Sequence, residues 1–181
     1  EFEFSIVGVR SQSGLINTYP IAINYHKDGI LLYNHVSQID VKEAKEIVSS
    51  LLEELSIVGL LVVEFFYANR PIINELAPRP HNSGHFTLDA CYCSQFENLI
   101  RALFDLPLGL TDLKLMGGMV NIIGLVPDFR KILKINGAKL YWYSKEPRPL
   151  RKLGHINLVA DTYEKLKERI NITLGAIYES P

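Results

Sequence analysis

Cysteine is scarce in this chain of 181 residues, and its scarcity excludes two kinds of stabilisation. The two cysteines, Cys91 and Cys93, are separated by one residue, a spacing that suits no disulfide within one strand or helix. No second pair completes a zinc site with four ligands. We therefore expect both thiols to be reduced and buried as small hydrophobic groups in a cytoplasmic protein.

Long apolar runs and an excess of one charge are also missing. The longest hydrophobic stretches have the length of strands, so the sequence predicts no signal peptide, no transmembrane segment and no membrane partner. A net charge of −1 predicts no general attraction to nucleic acid, and any basic site must be a local cluster. A glycine-rich phosphate loop, a nucleophile elbow and a Cys-His pairing are absent as well.

Two apolar segments on either side of Asn69-Arg70 predict a hairpin that carries two glutamates. Residues 59–67 are apolar almost throughout, as in a strand buried on both faces, and residues 72–77 have the pattern of the returning strand. Centring the turn on Asn69-Arg70 gives three cross-strand pairs: Ala68 with Pro71, Tyr67 with Ile72, and Glu64 with Glu75. Because Pro71 has no N–H, the loop is expected to be wider than a two-residue turn.

The predicted pairing of Glu64 with Glu75 requires an explanation. Like charges directly opposite one another on a sheet repel, and burial of an unpaired carboxylate costs several kcal/mol. A cation between the two side chains removes both penalties, and Mg²⁺ binds carboxylate oxygens together with substrate phosphates. Two alternatives stay open from the spacing alone, a slipped register or one protonated carboxyl group.

Two further segments concentrate polar side chains. Residues 78–85 bring together a cation, two imidazoles, an amide and a hydroxyl, which suits phosphate oxygens or a small anion such as bicarbonate. Residues 145–152 contain four cations, whose guanidinium groups match a phosphate monoester. The alternative for both segments is a solvated surface loop. His26 and His35, in or beside a strand hairpin, are interpreted as surface or structural residues.

The pattern of predicted strands and helices changes after Gly109, and this predicts two units, residues 1–112 and 113–181. The first is expected to combine antiparallel strands with helices, and the second to alternate short strands and helices, which is an α+β fold class. An apolar stripe predicts a helix over residues 41–55, with Asp40 as its N-cap.

The motif from Asn74 to His85, Asn-Glu-Leu-Ala-Pro-Arg-Pro-His-Asn-Ser-Gly-His, is similar to that of the ATP-dependent 5-(carboxyamino)imidazole ribonucleotide synthases of the ATP-grasp superfamily. The resemblance continues through residues 142–157 and covers nearly the whole chain. A formyl-phosphate-dependent glycinamide ribonucleotide transformylase has a similar Pro-Arg-Pro-His segment. The Asn-Ser-Gly-His sequence at residues 82–85 and the block at residues 145–155 favour the carboxylating family.

This resemblance implies that residues 1–112 are the C-terminal part of an ATP-grasp domain, an antiparallel sheet with helices, and that residues 113–181 are a small mixed α/β C-terminal domain. The chain opens at Glu1 inside a strand pattern, without an initiator methionine. The family's ATP-binding lysines and lid are expected to precede Glu1. We therefore expect the chain by itself to be a catalytically inactive fragment.

The resemblance also implies roles for individual residues. Glu64 and Glu75 are implied to bind Mg²⁺ that bridges the ATP phosphates, with Asn74 beside them. Arg79 and His81 are implied to be catalytic, near bicarbonate and the carboxyphosphate formed from it. The implied substrate-binding residues are Asn82, Ser83, Lys145, Arg148, Arg151 and Lys152.

The implied activity is ATP- and bicarbonate-dependent carboxylation of aminoimidazole ribonucleotide in purine biosynthesis, by a cytoplasmic homodimer. Two alternatives stay open: the formyl transferase or another ATP-grasp ligase, and a binding domain that has kept the fold without the chemistry.

Overall fold

Strands joined largely by short turns form the frame of the protein. The computed structural model describes residues 1–39 and 41–178. In chain order its strands are β1 (Phe2–Arg10), β2 (Ile16–Thr18), β3 (Ala22–Lys27), β4 (Ile30–Val36), β5 (Gly59–Tyr67), β6 (Pro71–Ala77), β7 (Met116–Ile123), β8 (Ala138–Trp142) and β9 (Lys152–Ala160). The helices are α1 (Lys42–Glu54), α2 (Thr87–Ala90), α3 (Gln95–Leu103), α4 (Phe129–Ile132) and α5 (Tyr163–Tyr178). A short 3₁₀ turn, Asn82–Gly84, precedes α2.

The strands form one sheet in the order β6-β5-β1-β3-β4-β7-β9-β8, and β2 pairs with β1. The neighbouring strands described in this sheet are antiparallel. The expected combination of an antiparallel sheet with helices is therefore confirmed. The pairing of β4 with β7 makes the sheet continuous across the predicted boundary between residues 112 and 113, and the division into two units stays a prediction.

Helices cover both faces of this sheet. A Cβ atom added at Gly117 would lie 2.3 Å from Ala90 of α2, and one added at Gly118 would lie 3.0 Å from Ile170 of α5. Because successive residues of a strand point to opposite faces, α2 and α5 lie on opposite sides. On β1, the sheet face towards which a Cβ atom of Gly8 would point packs against Val48 of α1.

The 3₁₀ turn lies against the polar middle of one sheet face. Asn34 of β4 donates its side-chain N–H to Ser83 O at 2.8 Å. Asn121 of β7 donates to Asn82 Oδ1 at 2.7 Å. These buried amides fix the segment that follows β6 over the centre of the sheet, because a buried polar group left without a partner is costly.

Several boundaries differ from the predicted ones. The helix predicted over residues 41–55 spans Lys42–Glu54, and its predicted N-cap Asp40 lies outside the described residues. β9 begins at Lys152, so the end of the predicted basic loop is a strand.

Across residues 1–39 and 41–178, none of the helices combines the length and apolar character needed to cross a membrane.

We predict that Gly8→Ala lowers the free energy of unfolding by about 1–3 kcal/mol, since overpacking a filled core strains its neighbours. A Cβ atom at this position would lie 2.6 Å from Val48 Cγ1 and 2.7 Å from Leu52 Cδ1. Urea denaturation measures the change. In a Val48→Ala background the same substitution should cost less, and strictly additive costs would contradict this packing.

Candidate active site

The hairpin of β5 and β6 places Glu64 directly opposite Glu75, as the sequence predicts. Both side chains line the same cleft, so they lie on the same side of the sheet. The alternative of a slipped register at the two glutamates is therefore excluded. The pair is the starting point of the site.

The turn of this hairpin differs from the predicted one. Tyr67 pairs with Pro71 and not with Ile72, which leaves a loop of three residues, wider than a two-residue turn as expected. The predicted pair of Ala68 with Pro71 is therefore wrong as well. Asn74 is an extra residue in β6, a bulge that returns the register to the predicted one at the glutamates.

Burial and neighbouring charges set the electrostatics of the pair. Glu64 is largely buried and Glu75 is exposed. Burial raises the pKa of Glu64, because a desolvated carboxylate is costly. The charges of Glu75 and Glu3 raise it further, whereas His26 and Lys152 lower it. Glu64 therefore carries an electrostatic cost that a bound cation would offset.

A metal at this position needs ligands from a substrate or from water. Among residues 1–39 and 41–178, no group of three or more His, Cys, Asp or Glu side chains is placed to hold a metal ion. Two facing carboxylates nevertheless fit Mg²⁺, which keeps several waters and is usually bound by one or two carboxylates plus phosphates.

A cleft of about 400 Å³ opens beside the glutamates. Six of the predicted site residues line it: Glu64, Glu75, His81, Lys145, Arg151 and Lys152. With His26, which also lines it, the cleft thus brings two carboxylates, two imidazoles and three cations together from distant parts of the chain. This composition suits a metal-bound anion with phosphate groups.

The remaining predicted residues are not part of the described lining: Asn74, Arg79, Asn82, Ser83 and Arg148. Arg79 is still close enough for its charge to lower the pKa of both His81 and Lys152, beyond the larger effect of burial. The amides of Asn82 and Asn121 exchange two hydrogen bonds, of 3.0 and 2.7 Å. Asn82 therefore anchors the loop to the sheet.

His81 is neutral, and its bonding identifies the nitrogen that carries the proton. Burial is the main cause that lowers the pKa of His81 to about 4, and the charges of Arg79 and Lys152 contribute to the same shift. The buried Ser83 donates its backbone N–H to His81 Nδ1 at 3.4 Å, and Ser83 Oγ lies 2.9 Å from the same atom. Because a backbone N–H only donates, Nδ1 is unprotonated and Nε2 carries the hydrogen. The 3.7 Å approach of Nδ1 to Glu64 is therefore not a hydrogen bond.

Two residues with unusual backbone angles lie just before cations of the basic segment, Ser144 before Lys145 and Leu150 before Arg151. Ser144 and Leu150 have φ values of 53° and 61°, in the left-handed region that side chains rarely adopt. Lys145 Nζ lies 5.2 Å from the centre of the Tyr143 ring, within the range of a cation–π interaction. Lys152, at the start of β9, is partly buried, and burial lowers its pKa while Glu64 raises it.

Sequence reasoning missed His26 as a residue of the cleft. A register shift between Tyr25 and His26 occurs where β3 pairs with β4, and His26 lines the cleft. Its Nδ1 lies 2.7 Å from Glu3 Oε2. Glu3 lies on the neighbouring strand β1. The sequence of the β3–β4 hairpin does not indicate that β1 lies next to β3, so this contact could not be predicted from it. His35, in contrast, is buried, with Nδ1 3.0 Å from Val36 O.

This sheet, with its facing glutamates and basic cleft, matches a known family. Residues 1–96 match the model of the ATP-grasp domain, and the chain belongs to the ATP-grasp family. Residues 118–169 match the model of the phosphoribosylaminoimidazole carboxylase C-terminal domain. The expected resemblance is confirmed by both matches.

Individual relatives define the likeness more closely. The chain is 51% identical over 175 residues to N5-carboxyaminoimidazole ribonucleotide synthase of Aquifex aeolicus. The aligned region covers 94% of this chain and 48% of that protein. The crystal structure of the phosphoribosylaminoimidazole carboxylase ATPase subunit from the same organism superimposes with a TM-score of 0.96 at 48% identity, covering 98% of this chain and 56% of that one. N5-carboxyaminoimidazole synthase of Aspergillus clavatus, solved with ADP and 5-aminoimidazole ribonucleotide, gives a TM-score of 0.90 at 27% identity and covers 98% and 51%. The chain therefore spans about half the length of these relatives.

We predict that Glu64→Gln raises the melting temperature at neutral pH in magnesium-free buffer. The folded state binds a proton at Glu64 more tightly than the unfolded state, because the pKa is raised on folding. Stability is therefore lost as pH rises from the ordinary glutamate pKa through the raised one, and the neutral amide avoids this loss. Thermal unfolding followed by circular dichroism from pH 4 to 8 measures the difference, which should shrink towards the acid end.

The matched control is Glu54→Gln, on the exposed end of α1. It should leave the melting temperature nearly unchanged, since exposed substitutions change stability little. Equal melting curves for wild type and Glu64→Gln at pH 7 would show that Glu64 carries no burial cost.

Proposed function

We propose that this chain contributes the metal-binding and ribonucleotide-binding part of an ATP- and bicarbonate-dependent enzyme that carboxylates 5-aminoimidazole ribonucleotide in purine biosynthesis. The observation that carries the proposal is the single cleft in which Glu64 and Glu75 lie with the cations Lys145, Arg151 and Lys152. The names of the relatives and the two family matches support the same activity.

The first part of the proposal concerns ATP and magnesium. Glu64 and Glu75 would hold Mg²⁺ together with the β- and γ-phosphates of ATP, with Asn74 next to Glu75 in the bulge. The fit rests on the two facing carboxylates and on the burial that raises the pKa of Glu64. When bound, the ion neutralises charge on the transferring phosphoryl group. Relatives solved with ADP support the binding of an adenine nucleotide.

The second part concerns bicarbonate. In the proposed reaction an oxygen of bicarbonate takes the γ-phosphoryl group and ADP leaves. The resulting carboxyphosphate breaks down to phosphate and CO₂. The amine of the ribonucleotide then attacks the CO₂ and loses a proton, which gives the N-carboxy derivative. Arg79 and His81 would lie beside the anion. A neutral His81 with its proton on Nε2 can donate a hydrogen bond to an anionic oxygen, and the nearby Arg79 supplies positive charge.

The third part concerns the ribonucleotide. Its phosphate monoester would bind Lys145, Arg151 and Lys152 in the cleft. Arg148 belongs to the same segment, and its contact with substrate remains a proposal. Substrate contacts of Asn82 and Ser83 remain proposals too, because the bonds described above use both residues to hold the loop and His81.

We further propose that the full-length enzyme is a cytoplasmic homodimer, and that this chain comprises two units, residues 1–112 and 113–181. Neither nucleic acid nor a membrane is among the proposed partners.

Two alternatives are separated by direct assays. A formyl-phosphate-dependent transformylase would use formate in place of bicarbonate as phosphoryl acceptor, so ADP release with each acceptor distinguishes the two. A binding domain without chemistry would bind Mg-ATP in a calorimetric titration of the full-length protein without turnover.

We predict that Glu75→Gln in the full-length protein lowers kcat for bicarbonate-dependent ATP hydrolysis at least about hundredfold, the order expected when a preorganised electrostatic group is lost. Coupled detection of ADP measures the rate. Glu54→Gln should retain wild-type turnover, and near-normal turnover in Glu75→Gln would refute the metal assignment.

A second substitution tests the phosphate site. Arg151→Gln should raise KM for the ribonucleotide about tenfold or more, since a charge-assisted hydrogen bond contributes about 1.5–3 kcal/mol. KM for ATP should be unchanged.

Steady-state kinetics with the ribonucleotide and with the riboside that lacks the phosphate provide the control, because only the first should respond to Arg151→Gln. The same change at Arg148, outside the described cleft lining, should have a smaller effect. An equal response to both substrates would show that Arg151 does not bind the phosphate.

A further inference from the structure

Gln95, the first residue of α3, is fully buried beneath the segment that carries His81. Its side-chain Oε1 accepts the backbone N–H of His81 at 3.0 Å, and its Nε2 donates to His81 O at 2.8 Å. One amide therefore bonds both backbone polar groups of His81. The position of the imidazole in the cleft depends on the position of this amide.

The same amide determines the tautomer of His85. Gln95 Nε2 lies 3.1 Å from His85 Nδ1. The backbone N–H of His81 must donate, so the atom that receives it is the amide oxygen and the amide orientation is defined. Nε2 of Gln95 is consequently a donor to His85 Nδ1. That nitrogen is unprotonated, and the neutral ring carries its hydrogen on Nε2.

The surroundings leave this amide little freedom to move. The hydroxyl of Thr87 accepts the backbone N–H of Gln95 at 3.0 Å and donates to Gly84 O at 2.7 Å. A Cβ atom at Gly84 would lie 2.8 Å from Gln95 Oε1 and 2.9 Å from Nε2, so a side chain at residue 84 would displace the amide. The turn and the amide are packed to fit one another.

A neutral His85 also suits the charges of the cleft. Burial is the main cause that lowers the pKa of His85 to about 4, and the charge of Lys152 contributes to the same shift. Its ring centre lies 4.7 Å from that of His155, whose pKa burial lowers to about 3. Neutral rings at His85 and His155 therefore add no positive charge to that of Lys152.

We infer that Gln95 is a positioning residue of the proposed active site, which places His81 through its backbone and holds His85 as the Nε2–H tautomer. The catalytic importance of placing His81 rests on the proposed function. The tautomer of His85 does not depend on that function, so the two parts can fail separately.

The tautomer is measured directly in the full-length protein labelled with ¹⁵N at histidine. A two-bond ¹H–¹⁵N correlation spectrum at pH 7 should show a protonated Nε2 and a bare Nδ1 for His85, assigned by loss of the signals in His85→Gln. A protonated Nδ1 would overturn the inference, whatever reaction the protein catalyses.

Gln95→Glu tests the positioning role, because it keeps the shape and replaces the amide donor with a second acceptor. The proton of His85 should move to Nδ1, and kcat should fall about 10–100-fold, as for other residues that orient a functional group. KM for ATP should be unchanged. A kcat and a His85 spectrum equal to those of wild type would overturn the inference.

Two further variants complete the test. Gln12→Glu makes the same chemical change at an exposed glutamine, which donates to Leu103 O at 2.9 Å, and should leave kcat unchanged. Gly84→Ala displaces the amide while Gln95 remains, so it should lower kcat as Gln95→Glu does and provides the test if that variant does not fold. A wild-type kcat in Gly84→Ala would count against the role of Gln95. Wild-type protein without bicarbonate-dependent turnover would refute the proposed function and leave the tautomer result standing.

Discussion

The facing carboxylates of Glu64 and Glu75 are the constraint on which the site depends. Two like charges at one register position of an antiparallel pair repel, and the burial of Glu64 adds to the cost. Their neighbours partly offset this cost: His26 on β3 and Lys152 on β9 both lower the pKa of Glu64. The pair stays unfavourable unless a cation or a proton neutralises one of the charges.

The loop after β6 is the second part of this arrangement. Buried amides on the sheet, those of Asn34 and Asn121, and the buried amide of Gln95 on α3 bond the loop from two sides. His81 therefore reaches the cleft from a backbone that is fixed by three separate elements. Such support is what a site needs when its chemistry is mainly the placement of charged groups.

The third part is the basic segment that precedes β9 and ends at its first residue. Lys145 lies between Ser144 and Leu150, whose backbone angles are strained, Arg151 follows Leu150 directly, and Lys152 lies on a strand. Strain of this kind persists where the surrounding structure imposes it, and it is common at ligand sites. The continuous sheet through β4 and β7 brings this segment to the glutamates of the first half.

Much of this site could be predicted from the sequence, because it depends on local patterns. Apolar runs and turn residues define the β5–β6 hairpin and hence the pair of Glu64 and Glu75, and the motif around His81 indicates the family. The bulge at Asn74 could not be predicted, since residues 72–76 of this edge strand are all exposed and show no apolar–polar alternation that would reveal a shift of register.

Only the tertiary structure decided which polar side chains line the cleft. Strand order places His26 beside Glu3 and the glutamate pair, whereas Arg148 is outside the described lining although it shares a segment with Arg151. The role of Gln95 is likewise invisible in the sequence, where it is one polar residue at the start of a helix. The physical reason is that hydrogen bonds and packing bring together residues that are distant along the chain. Local hydrophobic periodicity does not indicate which distant residues become neighbours.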